Sequence, residues 1–121
     1  MKAAATPANQ ARVFAVRFGD VHAAYVKKAE RKGRTAAEVD ELILWLTGHT
    51  PSSLAKAMDL DLATFYAKAP AYNPKAKRIT GVVCGVRVED IEDKTMKRIR
   101  QLDKLVDELA AGKPMAKILR D

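Results

Sequence analysis

Cysteine is nearly absent from this chain: Cys84 stands alone among 121 residues, so no internal disulfide can close and no partner thiols exist for a zinc or iron–sulfur site of the usual kind. A reducing cytosol is the compartment this implies. Long apolar runs are missing too. Although 48% of the residues are hydrophobic, no uninterrupted stretch approaches the roughly 20 residues that span a bilayer, which excludes a transmembrane helix and a membrane partner. The Ala-rich segment Met1 to Gln10 lacks the continuous apolar core of a signal peptide and reads as a disordered lead over residues 1–10, ahead of one helical domain over 11–121. Reaction machinery is equally scarce. The two histidines, His22 and His49, stand outside any metal-binding spacing and read as exposed polar residues, and no Gly-rich phosphate loop, Gly-x-Ser-x-Gly elbow or kinase-like set occurs. No cofactor, metal or catalytic residue is assigned, and whether the chain is an enzyme stays open.

What is present is positive charge. The 22 Lys and Arg against 15 Asp and Glu give a formal charge of +7, a field that favours anionic partners. The cations cluster at Lys27, Lys28, Arg31, Lys32 and Arg34, at Lys75, Lys77 and Arg78, and at Lys94, Lys97, Arg98, Arg100 and Lys104. Such clusters are more often a solvated face than a nucleic-acid footprint, for which Lys27, Lys28, Arg31, Lys32, Arg34, Lys97 and Arg98 are the candidates. The acids Glu89, Asp90, Glu92 and Asp93 lack the central glycine of a calcium loop and suit the start of the helix that follows.

Caps and prolines punctuate the rest. Phe14, Val16 and Phe18 alternate with polar or small residues over Arg12 to Phe18, as in a short strand or extended arm. Asp20 can cap a helix to about Lys32, stopped by Gly33. Thr35-Ala-Ala-Glu38 is a capping box opening a helix with Val39, Leu42, Ile43 and Leu46 inward and Gly48 as terminator. Thr50-Pro51, Asp61 and Asn73-Pro74 start further helical pieces, and Pro70 closes one of them. The stretch Ile79 to Val88 fits either a helical stripe or a strand, and the Asn-Pro start favours helix. Gly81 and Gly85, four apart, would then admit a close neighbour. The longest helix covers about Lys94 to Ala111, and Pro114 opens a final short turn.

Cys84 lies among valines and reads as a buried free thiol, although Arg87 nearby could activate it. Trp45 and Tyr72, at the edges of their stripes, are candidates to line a groove. With Cys84, Arg87 and Glu89 they form the set of candidate binding residues.

Several blocks in fixed order resemble one family. They are Lys28-Ala-Glu-Arg-Lys-Gly-Arg-Thr35, Trp45-Leu-Thr-Gly48, Asn73-Pro74, Ile79-Thr-Gly-Val-Val-Cys-Gly-Val-Arg-Val-Glu89 and Ile99-Arg-Gln-Leu-Asp-Lys-Leu-Val-Asp-Glu-Leu109. The chain is similar over about Arg12 to Arg120 to the small bacterial family of domain of unknown function 2200. The resemblance implies a cytoplasmic, one-domain bacterial protein and brings no activity, cofactor or functional residue with it. Lys94 replaces an expected proline, and Gly19-Asp20 replaces a small residue followed by serine.

The expected fold is an all-α multi-helix bundle with an extended N-terminal arm. Its alternative is α+β, with Arg12 to Phe18 pairing against Ile79 to Val88 in a minimal sheet. Three functions remain open. One is a non-catalytic binding or interaction module using Ile79 to Glu89, with a homo-oligomer as its partner state. Another is nucleic-acid binding through the basic helix faces. The third is a small-molecule or enzymatic site in which Arg87 clamps an anion, Glu89 acts as base and Cys84 as nucleophile.

Overall fold

The computed structural model describes residues 7–120, in which seven α-helices are joined by one small hairpin packed against the longest of them. The helices are α1 (Pro7–Phe14), α2 (Phe18–Arg31), α3 (Ala36–Thr47), α4 (Pro51–Ala57), α5 (Leu62–Ala67), α6 (Lys94–Ala110) and α7 (Met115–Ile118). The hairpin pairs β1 (Val82–Val83) with β2 (Val86–Arg87). Helix α6 is the hub, because Met96, Ile99, Leu102, Leu105, Val106 and Leu109 recur at helical spacing and are all buried. Against this stripe pack α2, α3, α5, α7 and the hairpin. Each fully buried leucine there contributes on the order of 2 kcal/mol.

Local chemistry sets most boundaries. Thr35 Oγ1 accepts the Glu38 amide at 3.1 Å, and the Thr35 amide donates back to the Glu38 carboxylate at 3.0 Å. Thr50 and Ser53 repeat that reciprocal box, and Asp61 and Asp93 cap α5 and α6 by accepting the amides of Thr64 and Met96. A Thr35→Ala variant should unfold about 1 kcal/mol more easily in urea, while Thr35→Ser should be nearly silent. Equal losses in the two would show that the hydroxyl is not what holds the box.

The structure departs from the local signals at three places. The first is the N-terminal arm. Most of the expected lead lies outside the described residues, but Pro7 to Gln10 begin α1, and that helix runs to Phe14 where an extended arm was expected. Only Arg17 keeps extended pairing, as an isolated bridge to Asp61 instead of to the valine-rich segment. Consequently α2 starts before Asp20. The amides of Phe18 and Gly19 donate to the carbonyls of Leu60 and Met58, both at 2.8 Å, so no side-chain cap is required, and Asp20 pairs with Arg17 at 3.0 Å instead.

The second place is Ile79 to Val88, where the favoured helix does not form. Asn73 does cap the turn that follows, accepting the Lys75 amide at 2.8 Å, but the product is a single 3₁₀ stretch, Pro74–Arg78. Beyond it the chain finds its strand neighbour within itself. Cys84 and Gly85 both have positive φ, 52° and 78°, the signature of a two-residue type I′ turn that no α-helix accommodates. Gly85 has open space where a Cβ would lie, and Gly81 meets only the Lys104 side chain, so neither glycine admits another backbone. The turn also brings Cys84 to the surface, where burial was expected. Val83 and Val88 enter the core in its place.

The third place is the histidines, both expected to be exposed and both partly covered. His22 Nε2 lies 2.7 Å from Asp40 Oδ1, joining α2 to α3, and the His49 ring stacks on Phe65 with centroids 5.4 Å apart.

Candidate functional site

The sequence candidates Tyr72, Lys97 and Arg98 converge on one groove. It lies between the Pro74–Arg78 turn and the first turns of α6, has a volume of about 250 Å³, and is lined by Tyr72, Asn73, Pro74, Ala76, Lys77, Lys94, Lys97, Arg98 and Gln101. No carboxylate is among these residues. The turn is fixed from below, since the Asn73 amide donates to Leu46 O at 2.8 Å and Asn73 Nδ2 to Trp45 O at 3.1 Å. Gln101, on the buried side of α6, donates to Ala76 O at 3.2 Å and accepts the Tyr72 hydroxyl. Tyr72 is therefore clamped at its polar tip. The Arg98 guanidinium lies 4.0 Å from the centre of its ring and donates to Tyr66 O at 2.7 Å. Burial raises the Tyr72 pKa, with Arg98 opposing, so the phenol stays neutral and donating.

Lys77, Lys94 and Lys97 stand around this rigid floor. Lys77, on the Pro74–Arg78 turn, and Lys94, at the start of α6, are exposed, and Lys97, one turn further along α6, is half-buried. Grouped cations over an aromatic floor, with no carboxylate among the described lining residues, make the groove positively charged.

The other candidates divide. Lys27, Lys28, Arg31 and Lys32 form an exposed face on α2, with Lys28 3.3 Å from Asp107. Arg34 has a structural duty instead. It donates to the carbonyls of Leu109 and Lys113 at 3.2 and 2.9 Å, tying the end of α6 to α3, and forks onto Glu38 with its closer contact at 2.9 Å. That fork holds the Glu38 pKa below the ordinary carboxylate value.

Arg87 and Glu89 lie 3.6 Å apart at the base of the hairpin, where Glu89 accepts the Gly81 amide at 2.9 Å. This amide bond is the main cause of a lowered Glu89 pKa, which weakens it as a base. Cys84 is at the opposite, turn end. Its sulfur is 4.0 Å from Asp103 Oδ2, and desolvation together with that carboxylate raises the thiol pKa. Trp45 lines a different hollow, with Leu44 and Leu119.

Sequence reasoning missed two polar centres on α6. Asp103 accepts both Tyr25 Oη and, at 2.8 Å, Arg100 Nη1. Buried Glu108 gathers Arg120 at 2.6 Å, Lys113 at 3.5 Å and Lys104 at 3.9 Å, fastening α7 and the C-terminal turn. One signal was available for the second: Gln101 and Glu108, seven apart, are polar residues set into the apolar stripe of α6.

The family model described as an uncharacterized protein conserved in bacteria (DUF2200) matches residues 12–120. The chain belongs to this family. A crystal structure of an uncharacterized protein, SP1917, is similar to this DUF2200 chain at 41% identity, with a TM-score of 0.84 over 89% of this chain and 90% of that one. No curated protein matches. Among the described residues of this DUF2200 protein, no helix is long and apolar enough to cross a membrane. No group of three or more His, Cys, Asp or Glu among them could hold a metal ion.

Proposed function

We propose that this protein is a non-catalytic binding module of the reducing cytosol that holds the phosphate backbone of a nucleic acid in the groove between the Pro74–Arg78 turn and α6. The observation that carries this reading is the gathering of Lys77, Lys94, Lys97 and Arg98 over Tyr72 with no carboxylate among the described lining residues. The exposed α2 cations extend the attractive field beyond the groove. Ile79 to Glu89 as a self-association surface has less support, since Ile79, Val83 and Val88 are in the core and Val82 alone of its large apolar residues is exposed. A thiol site has less again, because Cys84 stands apart from Arg87 and Glu89 and its pKa is raised.

The test is titration of a fluorescent single-stranded oligonucleotide across a salt series. Each phosphate contact should add about 0.7 to the slope of log affinity against log salt. The triple variant Lys77→Glu, Lys94→Glu, Lys97→Glu should bind at least about 100-fold more weakly at about 50 mM salt and lower that slope by about 2. Lys27→Glu with Arg31→Glu and Lys32→Glu should weaken binding less. Undetectable binding of the unaltered protein at low salt, or an equal loss in both triple variants, would refute the groove.

A further inference from the structure

We infer that the outward face of α3 is a second binding surface, which receives a basic amphipathic helix from a protein partner. It does not depend on the cationic groove. The core takes Val39, Leu42, Ile43 and Leu46 from α3, which completes the single apolar stripe that a surface helix ordinarily needs. Yet α3 carries another stripe. Ala37, Glu41, Leu44 and Trp45 follow at spacings of four, seven and eight residues and, with Asp40 and Leu119, line an open hollow of about 530 Å³. A second hollow of about 220 Å³, walled by Leu54 and Met58 of the α4 region, shares Asp40 and Leu44 with the first. The two hollows adjoin at these shared residues of α3.

Its charge identifies the occupant. In a chain of formal charge +7, neither hollow is lined by a lysine or arginine among the described residues, and the charged groups of their described lining are Asp40 and Glu41. Asp40 is held by His22 at 2.7 Å, whereas Glu41 is exposed with no ion-pair partner among the described residues. Apolar hollows with carboxylates in their lining complement a segment that presents apolar anchors flanked by lysine or arginine. From Ala37 to Trp45 the helix rises roughly 12 Å, about two turns, which suits two or three anchors of a docked helix at i, i+3 or i+4, and i+7. Trp45 supplies the kind of side chain that dominates such contacts, and Met58 an adaptable wall. A second copy fits poorly. Two-fold pairing through this surface would bring Asp40 and Glu41 near the same carboxylates, and a head-to-tail contact with the basic α2 face would build a ring or a filament instead of a dimer.

Trp45 is the single tryptophan of the chain, so its emission reports directly on this surface. The probe is a helical peptide of about four turns with leucines at i, i+3, i+4 and i+7 and lysine or arginine elsewhere, compared with the same peptide carrying glutamate in place of the cations. The basic peptide should shift Trp45 emission to the blue and shield it from acrylamide, and the acidic one should bind at least about tenfold more weakly. Leu44→Asp should abolish the shift while leaving circular dichroism and oligonucleotide binding unchanged, and Glu41→Lys should reverse the preference between the two peptides. No shift with the basic peptide up to about 1 mM would overturn the inference. Equal affinity for both peptides would do the same, as would a dimer in light scattering that Leu44→Asp dissociates, since the surface would then belong to a second copy.

Discussion

Gly48→Ala should lower the unfolding free energy by about 3 kcal/mol or more, because two independent penalties meet at one atom. Gly48 ends α3 in the left-handed region, at φ 80°, where an L-residue costs about 1–2 kcal/mol. A Cβ there would also lie 2.7 Å from the backbone nitrogen of Ala71 and 2.8 Å from its carbonyl oxygen. That backbone cannot step aside freely. The Ala71 amide donates to Thr47 O at 3.0 Å and the Asn73 amide to Leu46 O at 2.8 Å, so relief of the clash breaks the seam between α3 and the groove turn. Gly33 is the internal control. It shares φ 80° but has nothing within 4 Å of where a Cβ would lie, so Gly33→Ala should show the conformational penalty alone. Urea unfolding of the two variants separates the terms, and losses equal within about 0.5 kcal/mol would mean that Ala71 does not crowd Gly48. Because Tyr72 follows Ala71, Gly48→Ala should also weaken oligonucleotide binding, whereas Gly33→Ala should not.

The contrast between these two glycines also explains what could be read in the sequence. A left-handed helix stop and a side-chain cap are each satisfied within a few residues, so Thr35, Thr50, Asp61, Asn73 and Gly48 were legible as boundaries. The start of α2 was not. Its first amides are satisfied by Leu60 and Met58, some forty positions away, and nothing near Phe18 records that. The segment Ile79 to Val88 was misread for a related reason: a strand needs a neighbour, and the two-residue turn at Cys84 and Gly85 supplies one inside the segment instead of at a distance. Cysteine at the first position of such a turn is a weaker sequence signal than asparagine or glycine.

The site divides in the same way. Lys97, Arg98 and Tyr72 could be named from charge and from stripe edges, because exposure at the margin of a stripe is a local property. Arg34 looked identical to its neighbours on α2. Only its long-range bonds to the carbonyls of Leu109 and Lys113 distinguish a structural guanidinium from an available one. The second stripe of α3 was visible in Leu44 and Trp45, yet its meaning depended on Leu54, Met58 and Leu119 being brought beside it.

Phe65→Ala should remove about 3–5 kcal/mol of stability, the range for truncating a buried aromatic ring. Phe65 is wholly buried and sits at a junction, stacked on Phe18 with centroids 3.7 Å apart, edge-on to Tyr66 at 5.1 Å and facing His49 at 5.4 Å. Losing it unlocks the start of α2 and the entry to α4 together, so a cavity forms where two segments could drift apart. The same change should alter how stability depends on pH. Burial lowers the His49 pKa in the folded protein, so the unfolded chain binds that proton more readily. The stabilising difference is fully present above the ordinary imidazole value of about 6.5, declines as pH falls through it, and stops declining below the lowered folded value. In Phe65→Ala the imidazole gains water, and this acid-side decline should shrink. His49→Gln should remove it while leaving stability above about pH 7.5 nearly unchanged. Urea unfolding of the three proteins at about pH 5 and about pH 8 makes the comparison. An undiminished decline in His49→Gln would assign the titration to another group, and a loss below about 1 kcal/mol in Phe65→Ala would mean that α5 is not anchored through this ring.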